Sequence, residues 1–147
     1  MKTADMIFLD TNLLVYASQA ESPFHASSRA VIEKGMMGDL SLCISPQVLA
    51  EFYSTITSPK RVTDPISHDQ AVTEMKKYMS SKRIAKIFAH KAALDKMLRL
   101  LEKYPVKQQE IFDLQLVATM VSNGVTRIYT YNEDDFKRFT EIAVLHP

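Results

Sequence analysis

The stretch MIFLDTNLLVYA, residues 6–17, decides the fold class. Its first four residues are apolar, a run that suits a buried parallel strand and is too short for a buried helix. Asp10 ends the run, and Leu13, Leu14 and Ala17 then recur at helical spacing. Because open α/β sheets bind ligands at the carboxyl ends of their strands, Asp10 stands where such a fold places its site.

Asp10 has two interpretations on this stretch alone. Thr11 and Asn12 can cap the following helix, in which case the helix-start amides lie beside a free carboxylate. Alternatively, Asp10 is itself only the helix cap, since aspartate is favoured at that position. The residues that accompany Asp10 elsewhere in the chain favour the first interpretation.

Strand patterns and helix patterns alternate along the rest of the chain. Strands are predicted at residues 40–45, 82–88, 127–131 and 142–145, with a loop at 58–67 and a turn at 132–135. Helices are predicted from Pro23 to about Gly38 and at residues 46–56, 68–79, 89–104, 111–123 and 136–139. The alternation predicts βαβ units, right-handed crossovers and a parallel sheet covered on both faces.

The composition is that of one ordinary globular domain over residues 1–147, with 46% hydrophobic and 24% charged residues. Its single cysteine, Cys43, excludes an internal disulfide, and we expect a cytoplasmic protein. The first apolar stretch is interrupted by Asp10 and shows neither a charged leader nor a small-residue cleavage site. We therefore expect neither a signal peptide nor a membrane span.

The net charge of +1 is unevenly distributed. Residues 60–107 carry 12 basic and 5 acidic side chains, a balance of +7 that leaves −6 on the remainder. A basic middle with acidic flanks suits a protein that holds a polyanion over a metal site. The solvated surface of helices accounts for the lysines almost as well.

Acidic residues follow several of the predicted strands. Asp10 follows the first strand, Glu51 lies off the apolar stripe of the helix after the second, and Asp113 falls in the first turn of a late helix. The run NEDD at residues 132–135 follows another strand. Because segments after parallel strands emerge at one edge of a sheet, these acids can converge. Each also has a purely structural explanation, as a cap, a surface residue or a complement to a helix dipole.

Converging carboxylates repel one another unless a cation neutralises them. Hard oxygen ligands favour Mg²⁺ or Mn²⁺ over zinc, and the four histidines of the chain show no ligand spacing. A site of this kind suits metal-assisted hydrolysis of a phosphodiester.

Four motifs, in the same order along the chain, resemble those of PIN domains. They are FLDTN at residues 8–12, Glu51 in a helix that begins with proline, IFDLQLVAT at 111–119 and TYNEDDF at 130–136. The closest resemblance is to the VapC-type toxins of bacterial and archaeal toxin–antitoxin pairs, and it spans nearly the whole chain. It implies a three-layer α/β/α sandwich with a central parallel β-sheet. It also implies a Mg²⁺- or Mn²⁺-dependent endoribonuclease that cuts RNA, is often a homodimer and is silenced by a cognate antitoxin.

The resemblance assigns catalysis and metal binding to Asp10, Glu51 and Asp113, which match the three core acids of the family. At the fourth position many members have Asp where this chain has Asn132, whereas others have Asn there and an acid before the following Phe. That pattern selects Asp135 as the fourth acid. Candidate substrate contacts are Thr11, Asn12, Lys60, Arg61 and Asn132. For Lys60 and Arg61, two solvated loop charges are an equally good explanation.

Other interpretations fit parts of the same pattern. A phosphatase or phosphotransferase of the haloacid-dehalogenase type also begins with Asp after a strand, but it needs a second Asp where this chain has Asn12. A PIN-like module could grip RNA or a partner protein without cutting, although the acid set is complete. A PIN nuclease could also process RNA without a toxin role, although a short chain with no accessory domain favours the toxin.

Interface residues are a further expectation of the toxin interpretation. Met36 and Met37, together with Phe52 and Tyr53, are candidates for contact with an antitoxin or a second copy, because Met and aromatic residues are favoured at adaptable interfaces. Packing in the core explains the same residues equally well.

Overall fold

The computed structural model describes residues 5–147. Within this range five strands form one parallel sheet: β1 (Ile7–Leu9), β2 (Leu42–Ile44), β3 (Ile84–Lys86), β4 (Arg127–Tyr129) and β5 (Ala143–Leu145). Their spatial order is β3-β2-β1-β4-β5. The predicted parallel sheet is confirmed, and each strand is shorter than the apolar pattern that indicated it.

Seven helices connect the strands in this part of the chain: α1 (Thr11–Ser18), α2 (His25–Met36), α3 (Pro46–Ile56), α4 (His68–Ser80), α5 (Lys91–Lys103), α6 (Glu110–Ser122) and α7 (Glu133–Phe136). Helix α1 contacts α2 and α3, α3 contacts α4, and α5 packs on α6. Because the chain reverses its direction across the sheet after β3, right-handed crossovers place α1–α4 on one face and α5–α6 on the other. The expected three-layer α/β/α arrangement is confirmed. None of these seven helices combines the length and hydrophobicity needed to cross a bilayer.

Strand β1 lies at the centre of the sheet. All of its residues are buried, and Phe8 pairs in register with Cys43 of β2 and Ile128 of β4. A strand covered on both faces has an unbroken apolar run, which explains why residues 6–9 predict it. The chain passes from β1 to β2 on one side and later returns to β4 on the other. The carboxyl ends of β1 and β4 therefore flank the point where the strand order reverses, the usual place for a site in such sheets.

Three predicted helix starts are wrong, and helix α5 begins at Lys91 instead of Ala89. Helix α2 begins at His25 instead of Pro23, because Ser22 closes a turn: its Oγ accepts a hydrogen bond from the amide of Phe24 and its carbonyl accepts one from the amide of His25, both at 3.1 Å. The helical piece predicted at 136–139 lies at Glu133–Phe136, in the segment predicted as a turn. There the amide of Lys137 donates to the carbonyl of Glu133 at 2.9 Å and closes one helical turn.

Phe52 is completely buried, so its assignment to an exposed interface is wrong. It belongs to the apolar stripe of α3 and packs edge-on against Tyr78 of α4, with ring centroids 5.8 Å apart. Tyr53 is half-buried, and its hydroxyl lies 2.8 Å from Nδ1 of His68. Met36 and Met37 are exposed by 38% and 72%, which leaves them available for contact with a partner.

Helix α2 packs closely on the sheet at Gly35. A Cβ added to Gly35 would lie 2.9 Å from Cγ of the buried Leu42 and closer still to its Cδ1. We therefore expect Gly35→Ala to destabilise the protein by about 1–3 kcal/mol, the usual cost of overpacking, although alanine is the better helix former. The denaturant midpoint measures the change.

The matched control is Ala30→Gly at an exposed position of the same helix. That change should cost about 0.5–1 kcal/mol through helix propensity alone. A rise in the midpoint on Gly35→Ala would contradict the close approach of α2 to β2.

Candidate active site

A cleft of about 760 Å³ opens at the carboxyl edge of the sheet. Its lining includes all four predicted acids, Asp10, Glu51, Asp113 and Asp135. They come from the end of β1, from α3, from α6 and from α7. The convergence expected from the parallel strand order is thus present in the structure.

Asp10 is both a helix cap and a cleft residue. It occupies the N-cap of α1, so the expectation that Thr11 or Asn12 fills that position is wrong. One carboxylate oxygen, Oδ1, accepts a hydrogen bond from the amide of Thr11 at 2.8 Å, and the other, Oδ2, accepts one from Oγ1 of Thr130 at 2.7 Å. Only 9% of the residue is exposed. One oxygen is held by the first amide of α1 and the other by a residue that follows β4, the neighbour of β1, so the carboxylate is held in one orientation.

Thr130 is a site residue that the sequence reasoning missed. It follows β4 directly and is fully buried. Besides donating to Asp10, its Oγ1 accepts hydrogen bonds from the amide of Asn132 at 2.9 Å and from Nδ2 of Asn12 at 3.4 Å. The only sequence signal of this role is that a hydroxyl residue directly follows β4, just as Asp10 directly follows the neighbouring strand β1.

Glu51 points away from the core, as its position off the apolar stripe of α3 predicts. Its Oε2 accepts a hydrogen bond from Oγ1 of Thr11 at 2.9 Å, and its Oε1 accepts one from Nε2 of Gln47 at 3.0 Å. Gln47, one turn earlier in α3, also escaped the sequence reasoning. Both oxygens of Glu51 are therefore oriented, although the residue is exposed.

Burial and mutual repulsion raise the pKa values of two of the acids. Burial, the largest cause, and the charges of Glu51 and Asp135 raise the pKa of Asp10. The hydrogen bonds from Thr130 and Thr11 lower it, and the resulting pKa is about 6. For Asp113, burial is again the largest cause, and Asp135, Asp10 and Glu51 add to it, so that its pKa is about 7. Within residues 5–147, the cations near the cleft thus do not balance the charge of Asp10 and Asp113.

A fifth carboxylate, Glu110, also lines the cleft but has its own partner. It forms an ion pair with Arg138, which holds the pKa of Glu110 below its usual range. Arg138 also lowers the pKa of Asp113, although less than the causes that raise it. Glu110 is therefore neutralised within the protein, in contrast to the four predicted acids.

The three acidic side chains at residues 133–135 face different surroundings. Asp135 lines the cleft, whereas the side chain of Asp134 is 89% exposed and pairs with Lys137 at 2.7 Å. Glu133 lies 2.9 Å from Nδ1 of His146. The buried Phe136 anchors this helical turn in the core. Of the three acids, Asp135 alone belongs to the lining of the acidic cleft.

The predicted substrate contacts are only partly at the cleft. Thr11, Asn12, Arg61 and Asn132 line it, whereas Lys60 lies outside its lining on the exposed loop. In the described part of the chain, Arg61 is the only member of the basic segment 60–107 that reaches the cleft wall. Most of that segment is therefore solvated helix and loop surface, and its charge is not gathered over the acids.

The donor chemistry of the cleft fits a hard divalent cation, because the four unpaired acids offer only oxygen ligands. Oδ1 of Asn12, also at the cleft, is a buried oxygen without a hydrogen-bond partner among residues 5–147. In the same range, no three His, Cys, Asp or Glu side chains already form a metal-binding group. A cation held by these carboxylates would therefore draw at least one of them inward.

Known proteins share both the sequence pattern and the fold. The sequence model of the PIN domain matches residues 7–142. Ribonuclease VapC24 of Mycobacterium tuberculosis is 26% identical over 143 residues, which are 97% of each chain. Ribonuclease VapC48 of the same species is 22% identical over 138 residues, or 94% of each chain.

Two solved structures have the same fold as this chain. One is M. tuberculosis VapC20, a sarcin-ricin loop cleaving toxin, with a TM-score of 0.70, 15% identity and coverage of 96% of this chain and 99% of that chain. The other is VapBC2 of Rickettsia felis bound to a DNA fragment from its promoter, with a TM-score of 0.69, 21% identity and coverage of 96% and 98%.

The raised pKa values predict how stability depends on pH in metal-free protein. The folded protein binds protons at Asp10 and Asp113 more tightly than the unfolded chain does, so this contribution is complete below about pH 4 and is lost as the pH rises to about 7. The change in melting temperature caused by Asp113→Asn should therefore be more favourable at pH 8 than at pH 5 by roughly 5 °C. A difference of about 2 kcal/mol has this effect in a domain of this size. Thermal denaturation in a chelator at both pH values measures it.

Asp134→Asn is the matched control for this change, because Asp134 is exposed and paired with Lys137. Its melting temperatures should follow those of the unaltered protein at both pH values. An Asp113→Asn protein that keeps the full pH dependence would show that burial and the neighbouring acids do not raise the pKa of Asp113.

Proposed function

The chain belongs to the PIN domain family, and from this membership we propose that it is a cytoplasmic, metal-dependent endoribonuclease, the toxin of a type II toxin–antitoxin pair. The observation that carries the proposal is the convergence of Asp10, Glu51, Asp113 and Asp135 on one cleft at the point where the strand order reverses. The resemblance to proteins named VapC ribonucleases extends over nearly the full length of the chain. That full-length match supports the transfer of a whole activity, in contrast to a match over one motif.

The reaction proposed for the cleft is hydrolysis of an RNA phosphodiester. Asp10 and Asp113 are the residues that would hold the metal directly, with Asp135 beside them and Glu51 acting through water. When bound, Mg²⁺ or Mn²⁺ supplies a Lewis acid that favours the deprotonation of water and stabilises negative charge on the leaving oxygen. Binding of such a cation would lower the pKa values of Asp10 and Asp113, and it would remove the cost of gathering four carboxylates.

The protein's own groups have separate tasks in this proposal. Glu51, with both oxygens oriented by Thr11 and Gln47, is placed to accept a proton from the attacking water. Arg61 at the cleft wall is the cation for a substrate phosphate. Thr130 acts through Asp10: its hydrogen bond fixes the direction in which that carboxylate faces the cleft.

Partner proteins are the second part of the proposal. Among the exposed large apolar side chains of the described residues, two groups of neighbours stand out: Met36 and Met37 at the C-terminal end of α2, and Leu94, Leu98 and Leu101 along α5. The three leucines are spaced by four and three residues, so they form a stripe on one helix face. Exposed apolar surface of this kind marks protein contact sites, and we assign it to the cognate antitoxin and to a second copy of the chain. The Rickettsia felis toxin was itself solved in a complex named VapBC2.

Asp10→Asn tests the activity. The change keeps the size of the side chain and removes a buried charge, so the protein should fold with an unchanged or higher melting temperature. RNA cleavage should fall by at least about 100-fold, as expected when a preorganised charged group of an active site is lost, and growth arrest on expression should disappear. Cleavage of labelled RNA and the growth of expressing cells are the measurements.

Two results would contradict the proposed site. One is full cleavage by a well-folded Asp10→Asn protein, and the other is undiminished activity of the unaltered protein in EDTA. Co-expression of a small DNA-binding protein encoded beside this chain should restore growth if the toxin role is correct.

Asp135→Asn tests the fourth acid. We expect the cleavage rate at saturating RNA to fall by about 10- to 1000-fold, the usual range for one catalytic group, because the acid acts mainly in the transition state. The affinity for RNA should hardly change, since no phosphate contact is removed. Asp134→Asn and Glu133→Gln are the controls and should remain close to the unaltered protein, as both side chains have partners outside the acidic cleft. Loss of activity on Asp134→Asn, with Asp135→Asn active, would reverse the assignment.

A further inference from the structure

A second cleft of about 500 Å³ adjoins the acidic one. Asn132 and Asp135 line both clefts, so a group in the second cleft lies directly beside the acids. The remaining wall includes the rings of Tyr131 and His146. None of the tasks assigned to the catalytic acids uses these two rings.

Tyr131 is the centre of an aromatic cluster. Its ring centroid lies 4.6 Å from that of Phe24, 5.3 Å from that of Tyr16 and 5.8 Å from that of His146, the last pair nearly perpendicular at 85°. Tyr16 in turn lines the acidic cleft. The cluster therefore extends from one cleft to the other.

The position of the Tyr131 ring is fixed before any ligand binds. Its hydroxyl lies 2.6 Å from Oγ of Ser27 and 2.8 Å from Oγ of Ser28, both on the first turn of α2. A ring already held in place loses little conformational entropy when another ring stacks on it. This is a preformed aromatic wall at the surface of the protein.

Two of the three acids around the second cleft have a partner within the protein. Glu133 contacts His146, and Asp134 contacts Lys137. The third, Asp135, faces the acidic cleft as well. The side-chain amide of Asn132, a donor and an acceptor, is exposed between the two clefts.

We propose that the second cleft binds an unpaired nucleobase of the RNA substrate, stacked on the ring of Tyr131 with the ring of His146 at its edge, next to the phosphate that is cut. This inference rests on the proposed ribonuclease function. Proteins recognise single-stranded RNA by stacking its exposed bases on aromatic side chains, and each stacked base contributes about 1–3 kcal/mol. The cleft thereby selects unpaired RNA, because a base within a duplex is not free to enter it.

Binding to two matched probes tests the proposal. The protein carries Asp10→Asn so that RNA stays intact, and the probes are a single-stranded adenosine decamer and a decamer with the same sugar-phosphate chain but no bases. We expect the base-bearing probe to bind about 5- to 150-fold more tightly, as measured by fluorescence anisotropy. When Tyr131→Leu is combined with Asp10→Asn, the ratio of the two affinities should fall to near one. Tyr131→Phe should keep the ratio because the ring remains.

A second variant and a control make the test independent of folding at Tyr131. His146→Ala, at an exposed position, should lower the preference by about 5-fold, as expected for the loss of one edge-to-face ring contact. Tyr53→Leu is the control, since Tyr53 and His68 form a similar pair, 5.8 Å apart, whose residues line neither cleft. Its preference should equal that of the parent protein.

Equal binding of the two probes by the parent, or a preference that survives both Tyr131→Leu and His146→Ala, would overturn the nucleobase site. If the unaltered protein nevertheless cleaves RNA in a manner that depends on Asp10, the proposed function stands and only the nucleobase site fails. A preference that depends on Tyr131 in a protein that cleaves no RNA would support the cleft and reject the proposed cleavage.

Discussion

The hydrogen bond from Thr130 to Asp10 connects the ends of the two strands between which the strand order reverses. It satisfies a carboxylate that is almost completely buried, a situation that is costly unless the charge is hydrogen-bonded. It also aims that carboxylate, because the second oxygen is held by the first amide of α1. The remaining acids take their places around this fixed point, and α1 carries Thr11, which orients Glu51.

The four acids occupy four different kinds of local structure. Asp10 is a helix cap, Glu51 lies opposite the apolar stripe of its helix, Asp113 stands in a first helical turn, and Asp135 precedes a buried phenylalanine. Each of these is a stable local structure that needs no metal. The cost of this arrangement appears in the raised pKa values of Asp10 and Asp113, to which burial contributes most and the charges of the neighbouring acids add. Raised pKa values of this kind are common at functional sites.

The sequence predicted those features that depend on periodicity and chain order. The unbroken apolar run before Asp10 predicted a buried parallel strand, and the alternation of elements predicted one edge at which the acids meet. It did not reveal Thr130 or Gln47, because their roles depend on the directions of side chains from elements far apart in the chain. Local hydrogen bonds also outweighed general start signals, as Ser22 shows at α2. The prediction for Phe52 was wrong because the sequence does not distinguish an apolar helix residue that packs on a neighbouring helix from one that contacts a partner protein. Phe52 packs on Tyr78 of α4.

The order of the site residues along the chain determines when the acidic cleft can be completed during synthesis. Asp10 and Glu51 are synthesised early, Asp113 and Asp135 late, and the amide of Thr130 donates to the carbonyl of Leu145 in β5 at 3.2 Å. The residue that aims Asp10 is thus itself held by the last strand of the sheet. A chain still on the ribosome and lacking β5 has neither this support nor, before residue 135, a complete set of acids. The acidic cleft is therefore completed only when the last strand of the sheet has been synthesised and has joined β4.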